Sequence, residues 1–251
     1  MLKLENIAHT QRLLPLSLAI AAGESCHLLG PNGSGKSTLL MCISGLLSGE
    51  GRVYWQAQNL AKLSLASQAQ YRSVLLQQQR PSFHLRVFQY LLVSLAPLQR
   101  TLSAEVEQVL MALAKRLGID DKLSRQLDTL SGGEWQRVRL LACFLQVWPT
   151  LNPQARFLLL DEPMNALDLT HQRVVYQLIA ELKSNGLAIV IASHDLSQSY
   201  RHADQVLVLQ HGVKCAYGPP QTVLTPALIE QVFAIQAQIL AQEPKRLLLD
   251  V

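Results

Sequence analysis

Charge is scarce in this 251-residue chain, where Asp, Glu, Lys and Arg make up 16% of residues against 49% hydrophobic. That balance excludes an intrinsically disordered protein, which needs high charge and little apolar material to bury. It leaves enough core for one large domain or two small ones. The basic excess is small, 22 basic residues against 18 acidic for a formal charge of +4. Those basic residues are scattered among acids rather than gathered on one face, so no nucleic-acid partner is expected. Long apolar runs are also missing: no window approaches the roughly eighteen uninterrupted apolar residues of a membrane-spanning helix. Any work at a membrane therefore needs another protein as anchor. The start, MLKLENIAHTQ, turns polar too early for a secretory signal peptide. Cysteine is sparse as well. Cys26, Cys42, Cys143 and Cys215 lack the close spacing of a zinc site, and each lies among apolar neighbours. They are expected to be buried small hydrophobes in a reducing, cytosolic compartment.

What is present is an alternation of strand and helix patterns. Leu2–Ile7, Leu16–Ile20 and Ser25–Leu29 read as strands, and Lys36–Leu46 has helical periodicity after a glycine-rich turn. Short strands are predicted at Arg52–Tyr54 and Val74–Leu76, with a polar helix between them. Helices over Val87–Leu95, Glu105–Leu117 and Gly133–Val147 follow, and a proline-bearing loop covers Trp148–Arg156. Strands return at Phe157–Leu160 and Leu187–Ala192 around a helix over Thr170–Ser184. A hairpin is predicted from Gln205–Gln210 and Val213–Tyr217, then a helix over Ala227–Ala241 and a short tail. The runs FLLLL and LAIVIA are almost continuously apolar, as in central parallel strands covered on both faces. The expectation is one α/β domain over residues 1–251, with a helical subdomain inserted at about residues 80–150.

Gly30, Pro31, Asn32, Gly33, Ser34, Gly35, Lys36 and Ser37 satisfy G-x-x-x-x-G-K-[ST] between a predicted strand and a predicted helix. Glycines let successive backbone N–H groups turn inward toward phosphate oxygens at a helix N-terminus. Lys36 would reach the β- and γ-phosphates of ATP, Ser37 would offer its hydroxyl to Mg2+, and Thr38 would hydrogen-bond the α-phosphate. From average composition, such a match arises by chance in about one chain of this length in a hundred. The strand Phe157–Leu160 then ends in Asp161 and Glu162. Adjacent carboxylates at a strand end can divide labour: Asp161 on the metal side, Glu162 orienting or deprotonating the attacking water.

A second phosphate-binding helix start is offered by Ser131, Gly132 and Gly133 in LSGGEWQR, although a simple Ser-capped helix would also explain Ser131. On this string the chain resembles the ATP-binding cassette ATPases. The resemblance implies a P-loop NTPase core with a parallel sheet, an N-terminal antiparallel β subdomain and an inserted α-helical subdomain. It implies that two copies of the chain sandwich two ATP molecules head to tail, each signature closing over the γ-phosphate held by the other copy. It further implies that Gln77 contacts Mg2+ or water and reports to a partner, with Gln78 and Gln79 leaving the register open. Asn165–Asp168 resembles the loop that crosses the dimer interface, and His194 the switch histidine that contacts the γ-phosphate.

Two departures stand out. No Phe, Tyr or Trp precedes Tyr54, where the family usually stacks an aromatic ring on adenine; Arg12 or His9 would have to substitute by planar stacking. Met164 replaces the Thr common in this family's loop.

Within the family, LSGGEWQRVRL, TLNPQAR and LLLDEPMNALD closely resemble the ATPase subunits of bacterial cobalamin importers, as do DDKL and the hairpin after His194. That implies a cassette dimer on the cytoplasmic face of the inner membrane, docked under an integral-membrane permease dimer, with residues 77–93 facing it. A periplasmic substrate-binding protein would deliver cobalamin. The competing reading is a soluble single-cassette ATPase acting in iron–sulfur cluster assembly.

Overall fold

The computed structural model describes residues 1–10, 12–76, 84–98, 103–240 and 246–250. They divide into two compact units: Met1–Lys62 with Ala188–Val251, and Leu63–Leu187. The first unit opens with β1 (Leu2–His9), β2 (Leu13–Ile20), β3 (Ser25–Leu29), α1 (Lys36–Ser44), β4 (Glu50–Trp55) and β5 (Gln58–Asn59). The second runs α2 (Leu65–Tyr71), β6 (Arg72–Leu75), α3 (Val87–Ser94), α4 (Ala104–Arg116), α5 (Gly132–Val147), β7 (Phe157–Asp161) and α6 (Leu169–Ser184). The chain returns to the first unit with β8 (Ala188–Ala192), α7 (Leu196–His202), β9 (Gln205–Gln210) and β10 (Val213–Gly218). It closes with α8 (Pro220–Val223), α9 (Pro226–Phe233), β11 (Gln236–Leu240) and β12 (Arg246–Asp250).

In the first unit an antiparallel sheet in the order β2-β1-β4-β5 presents alternating residues to the core. It carries a bulge. Asn6 adopts φ +49°, and the pairing of β1 with β4 slips between Glu5 and Ala8. Gly51 faces the bulge at φ +90°, and a Cβ there would lie 2.3 Å from the Asn6 carbonyl oxygen, so only glycine fits. A second set of strands is parallel at its centre: β3 pairs with β8 on one side and β9 on the other, and β10 closes antiparallel on β9. Every residue of β3 and β8 is buried, which accounts for their lack of polar alternation. Leu29, Tyr200, Val206, Val208, Leu224 and Ile229 pack together beneath β9.

The second unit pairs β6 parallel to β7, from Arg72 opposite Phe157 to Leu75 opposite Leu160. α4 is capped by the Ser103 hydroxyl and buries Val106, Leu110 and Leu113 along one stripe. α3 meets α5 at Tyr90 and Trp135, whose ring centroids are 5.1 Å apart at a tilted 59°. The loop TLNPQAR is tied to its surroundings: buried Asn152 donates through Nδ2 to the carbonyls of Gln70 and Gln146, each at 2.8 Å.

Three expectations need correction. The helix predicted over Ala227–Ala241 ends at Phe233, where Ala234 turns left-handed at φ +57° and its N–H closes on the Glu230 carbonyl. The segment after it, QAQIL, alternates with period two, and the expected tail supplies its antiparallel partner β12. Cys215 is exposed on β10, unlike the three buried cysteines. The short helix α7, started by the Asp195 carboxylate accepting from the Gln198 N–H at 2.8 Å, has too few apolar positions to show periodicity.

Candidate nucleotide site

The phosphate loop leaves β3 at Gly30, whose φ of +150° and crowded surroundings admit no side chain: a Cβ would lie 2.1 Å from the Leu209 carbonyl oxygen. Gly33 and Gly35 follow at φ +78° and +104°. Gly35 is the cap residue of α1 and lends no side chain to its first N–H groups. Lys36 is 7% exposed, and its Nζ donates to the carbonyls of Gly30 at 2.7 Å and Pro31 at 3.0 Å, which holds the ammonium across the loop. Ser34 Oγ is buried with no hydrogen-bond partner among the described residues. An unpartnered buried hydroxyl, a buried ammonium and a helix N-terminus together fit the oxygens of an anionic phosphate group. Ser37 is half-buried one residue further on, and Thr38 is buried beside it.

Neighbouring turns brace the loop. Gly212, between β9 and β10, donates its N–H to the Ser34 carbonyl at 3.1 Å and accepts from the Leu14 N–H at 2.9 Å. The Arg12 carbonyl packs against Gly35 and Gly212 within about 3 Å of where a Cβ would stand on either. Arg12 itself is exposed. The switch segment reaches the same sheet edge through β8: Leu28 pairs with Ala192, and the Ser193 N–H donates to the Leu28 carbonyl at 3.0 Å. His194, the next residue, is exposed there. Gly30 and His194 thus leave neighbouring parallel strands at their C-terminal ends, the usual place for a ligand in such sheets.

In the second unit, Asp161 ends β7 with 4% exposure, and Glu162 follows with a left-handed backbone at φ +48°. Such a conformation costs about 1–3 kcal/mol in a non-glycine residue and persists only where the surroundings hold it. The surroundings do so here. The Asn165 side-chain amide donates to Glu162 Oε2, and the Asn165 N–H donates to the Glu162 carbonyl at 3.2 Å. Gln136 Nε2, from α5, donates to the carbonyls of Pro163 at 3.0 Å and Glu162 at 3.4 Å. Ala166 adds a second left-handed residue at φ +61°. Met164 enters the turn by its carbonyl, which accepts from the Leu167 N–H. Asp168 caps α6, with Oδ1 accepting from the His171 N–H at 2.8 Å. Those bonds hold its carboxyl below the usual carboxylate range, the backbone N–H of His171 contributing most.

The signature segment in the same unit starts α5. Ser131 Oγ accepts from the Glu134 N–H at 3.2 Å, and Glu134 Oε2 accepts from the Ser131 N–H at 2.7 Å. That second bond draws the Glu134 carboxyl below its ordinary range. Ser131 and Gly132 are exposed, and Gly132 has open space where a Cβ would stand. Gly133 by contrast abuts the turn after β7, for a Cβ there would lie 2.7 Å from the Ala166 carbonyl oxygen. Gln77 lies outside the described residues, as does the 77–83 part of the segment expected to face a permease.

Ser34 and Asn165 lie in segments already expected to take part, whereas no role was expected for Gln136, or for Asn165 as the partner of Glu162. One signal for Gln136 was available: in a helix it stands three residues after Gly133, on the face that meets the carboxylate turn.

Comparison with known proteins agrees with this geometry. The family model described as ABC transporter matches residues 13–165. The vitamin B12 import ATP-binding protein BtuD of Vibrio atlanticus is 44% identical over 250 residues, covering 99% of each chain. That of Photobacterium profundum is also 44% identical, covering 98% of this chain and 97% of its own. Among solved structures, an ATP-binding subunit of an ABC transporter superposes with a TM-score of 0.79 at 22% identity, covering 89% of this chain and 91% of that one. An ATP-binding cassette of an ABC transporter in its ADP conformation superposes with 0.73 at 24% identity, covering 92% and 97%. These two share the fold. With a braced phosphate loop, a strand ending in two acids, a capped LSGGE helix and near end-to-end likeness to curated relatives, the chain belongs to the ABC transporter family.

Proposed function

We propose that this chain is a single-cassette ATPase, spanning residues 1–251, that energises cobalamin import through a separate membrane permease. The identity with vitamin B12 import ATP-binding proteins over almost the whole chain is the observation that carries the reading. No helix among the described residues is long and apolar enough to cross a membrane. The proposal assigns the membrane path to a permease dimer, with the cassette at its cytoplasmic face and a substrate-binding protein delivering cargo from the periplasm.

In this reading backbone N–H groups of the phosphate loop and the Lys36 ammonium cradle the phosphates of ATP, and Ser34 Oγ gains a partner there. Ser37, Asp161 and Gln77 would supply oxygen donors suited to Mg2+, which would offset the charge of the phosphates. Glu162 takes the proton from the attacking water, its carboxylate aimed by Asn165 and its strained backbone held by Gln136. His194 contacts the γ-phosphate. Ser131 and Gly132 of a second copy close over that phosphate with the N-terminus of α5, and Asp168 belongs to the loop that meets this second copy. Arg12, exposed in the turn that packs on Gly35, offers a planar cation to the adenine. Binding two ATP molecules closes the dimer, closure moves the permease, and hydrolysis reopens it.

The test is cobalamin uptake in a strain lacking the chain. Uptake should be lost, and should return with the native chain but not with Glu162→Gln. Uptake that survives the deletion rejects the substrate, and a Glu162→Gln chain that hydrolyses ATP normally rejects the base.

A further inference from the structure

A chain of polar contacts in the second unit joins the signature helix to the start of α6, touching only Gly133 and Asp168 among the groups assigned to nucleotide chemistry above. Arg137, on α5, shares the two N–H groups of Nη1 among three acceptors, the carbonyls of Leu117 at 2.7 Å and Gly118 at 2.8 Å and His171 Nε2 at 2.8 Å. Its Nε reaches back to the Gly133 carbonyl at 3.4 Å. His171 Nδ1 lies 2.8 Å from Asp168 Oδ1, the same oxygen that accepts the His171 backbone N–H. Chemistry sets the tautomer. A guanidinium only donates, so Nε2 is the acceptor and the ring proton sits on Nδ1, donating to Asp168. Gly118 keeps the passage open: at φ +61°, a Cβ would lie 3.0 Å from Arg137 Nη1 and 3.3 Å from His171 Nε2.

The contacts fall on one face of α5. Gly133 meets Ala166, Gln136 holds Pro163 and Glu162, and Arg137 holds His171. The turn from Glu162 to Asp168 is thereby tied to the signature helix at its beginning, its middle and, through the imidazole, its end.

We infer that His171 is a positioning residue that couples the two nucleotides of the dimer. The inference rests on the proposed sandwich, in which one copy's signature serves one ATP while the same copy's Glu162 serves the other. A shift of α5 as it closes over the first nucleotide is carried by Arg137 to His171, and by His171 to Asp168 and the turn that aims Glu162. Hydrolysis at the two sites then becomes cooperative.

Two near-isosteric substitutions separate this role from helix capping. His171→Gln places a carbonyl oxygen near the position of Nε2 and keeps the Arg137 bond. His171→Asn reaches only the position of Nδ1 and keeps the Asp168 bond. The backbone cap on Asp168 persists in both. In ATPase assays on the assembled transporter, the native chain should give a Hill coefficient clearly above about 1, up to the two-site limit of about 2. His171→Gln and His171→Asn should both fall to about 1, because each cuts one of the two links, with kcat down about three- to tenfold and KM within about twofold. A purely structural cap predicts instead that His171→Asn stays native-like, because it preserves the side-chain bond to Asp168. Equal behaviour of the three chains, a non-cooperative native chain, or a His171→Asn chain that keeps native cooperativity overturns the inference. Should His171→Asn fold poorly by circular dichroism, His171→Ala tests the same lost link. Glu162→Gln in the same assay separates the two claims, since normal hydrolysis there would defeat the underlying reading rather than the coupling.

Discussion

Replacing Gln136 by Met tests whether the signature helix holds the catalytic turn. Met has nearly the same length and removes both donors, so the buried site keeps its volume and loses its bonds to the Pro163 and Glu162 carbonyls. The 3.0 Å bond to Pro163 is the stronger, and it satisfies a carbonyl on a buried residue. Leaving such a group unpaired costs about 1–3 kcal/mol. For a chain of this size each kcal/mol lowers Tm by about 2–4 °C. The sharper consequence falls on Glu162, whose left-handed backbone stores about 1–3 kcal/mol that the bond helps to hold. Once the turn relaxes, the carboxylate drifts from its line to the attacking water. Each 1.4 kcal/mol of lost transition-state stabilisation is about tenfold in rate. Steady-state ATP hydrolysis should show kcat reduced roughly tenfold to a hundredfold with KM changed less than about twofold, while nucleotide binding to the phosphate loop persists. A chain that melts lower but turns over at the native kcat would refute the reasoning.

Two further outcomes follow from the same geometry. Arg12→Ala should weaken ATP affinity about tenfold, from a planar contact worth about 1–3 kcal/mol, and Arg12→Trp should restore it; equal affinity for all three in equilibrium binding would remove Arg12 from the adenine site. The carboxyls of Glu134 and Asp168 are held below their ordinary values by backbone N–H groups, so each stabilises its helix start above the unfolded carboxylate pKa of about 4. That support is lost as pH falls through the depressed value, and amide exchange at Glu134 and His171, corrected for intrinsic rate, should accelerate in that acid window. Exchange at these amides that stays flat through it would contradict the caps.

Much of the fold was legible because the buried strands announce themselves. β3, β7 and β8 are buried throughout and largely apolar, they give way abruptly to glycine, to two acids or to Ser-His-Asp, and their ends place the expected site residues. β11 was not legible, because the helix pattern of α9 runs into QAQIL without a Gly or Pro to interrupt it, and only β12 reveals the strand. The same distance in sequence hid the supporting residues of the site. Gln136 meets Pro163 across 27 positions and Arg137 meets His171 across 34, so the partners of these side chains cannot be read from their neighbours in sequence. Motif residues touch the ligand and carry its chemistry in their types. The residues that aim them depend on tertiary approach, and Glu162's strained backbone appears only once φ is known.

The account turns on one nucleotide being shared by two copies of the chain, and Ser131→Arg in a Glu162→Gln background tests it directly. With Mg-ATP, the Glu162→Gln chain should sediment as a dimer retaining one ATP per chain. Adding Ser131→Arg crowds the start of α5, where the residue is exposed. The account predicts that the doubly substituted chain still binds ATP through residues 30–38 but sediments as a monomer. An ATP-bound dimer that forms undiminished with Ser131→Arg would contradict it.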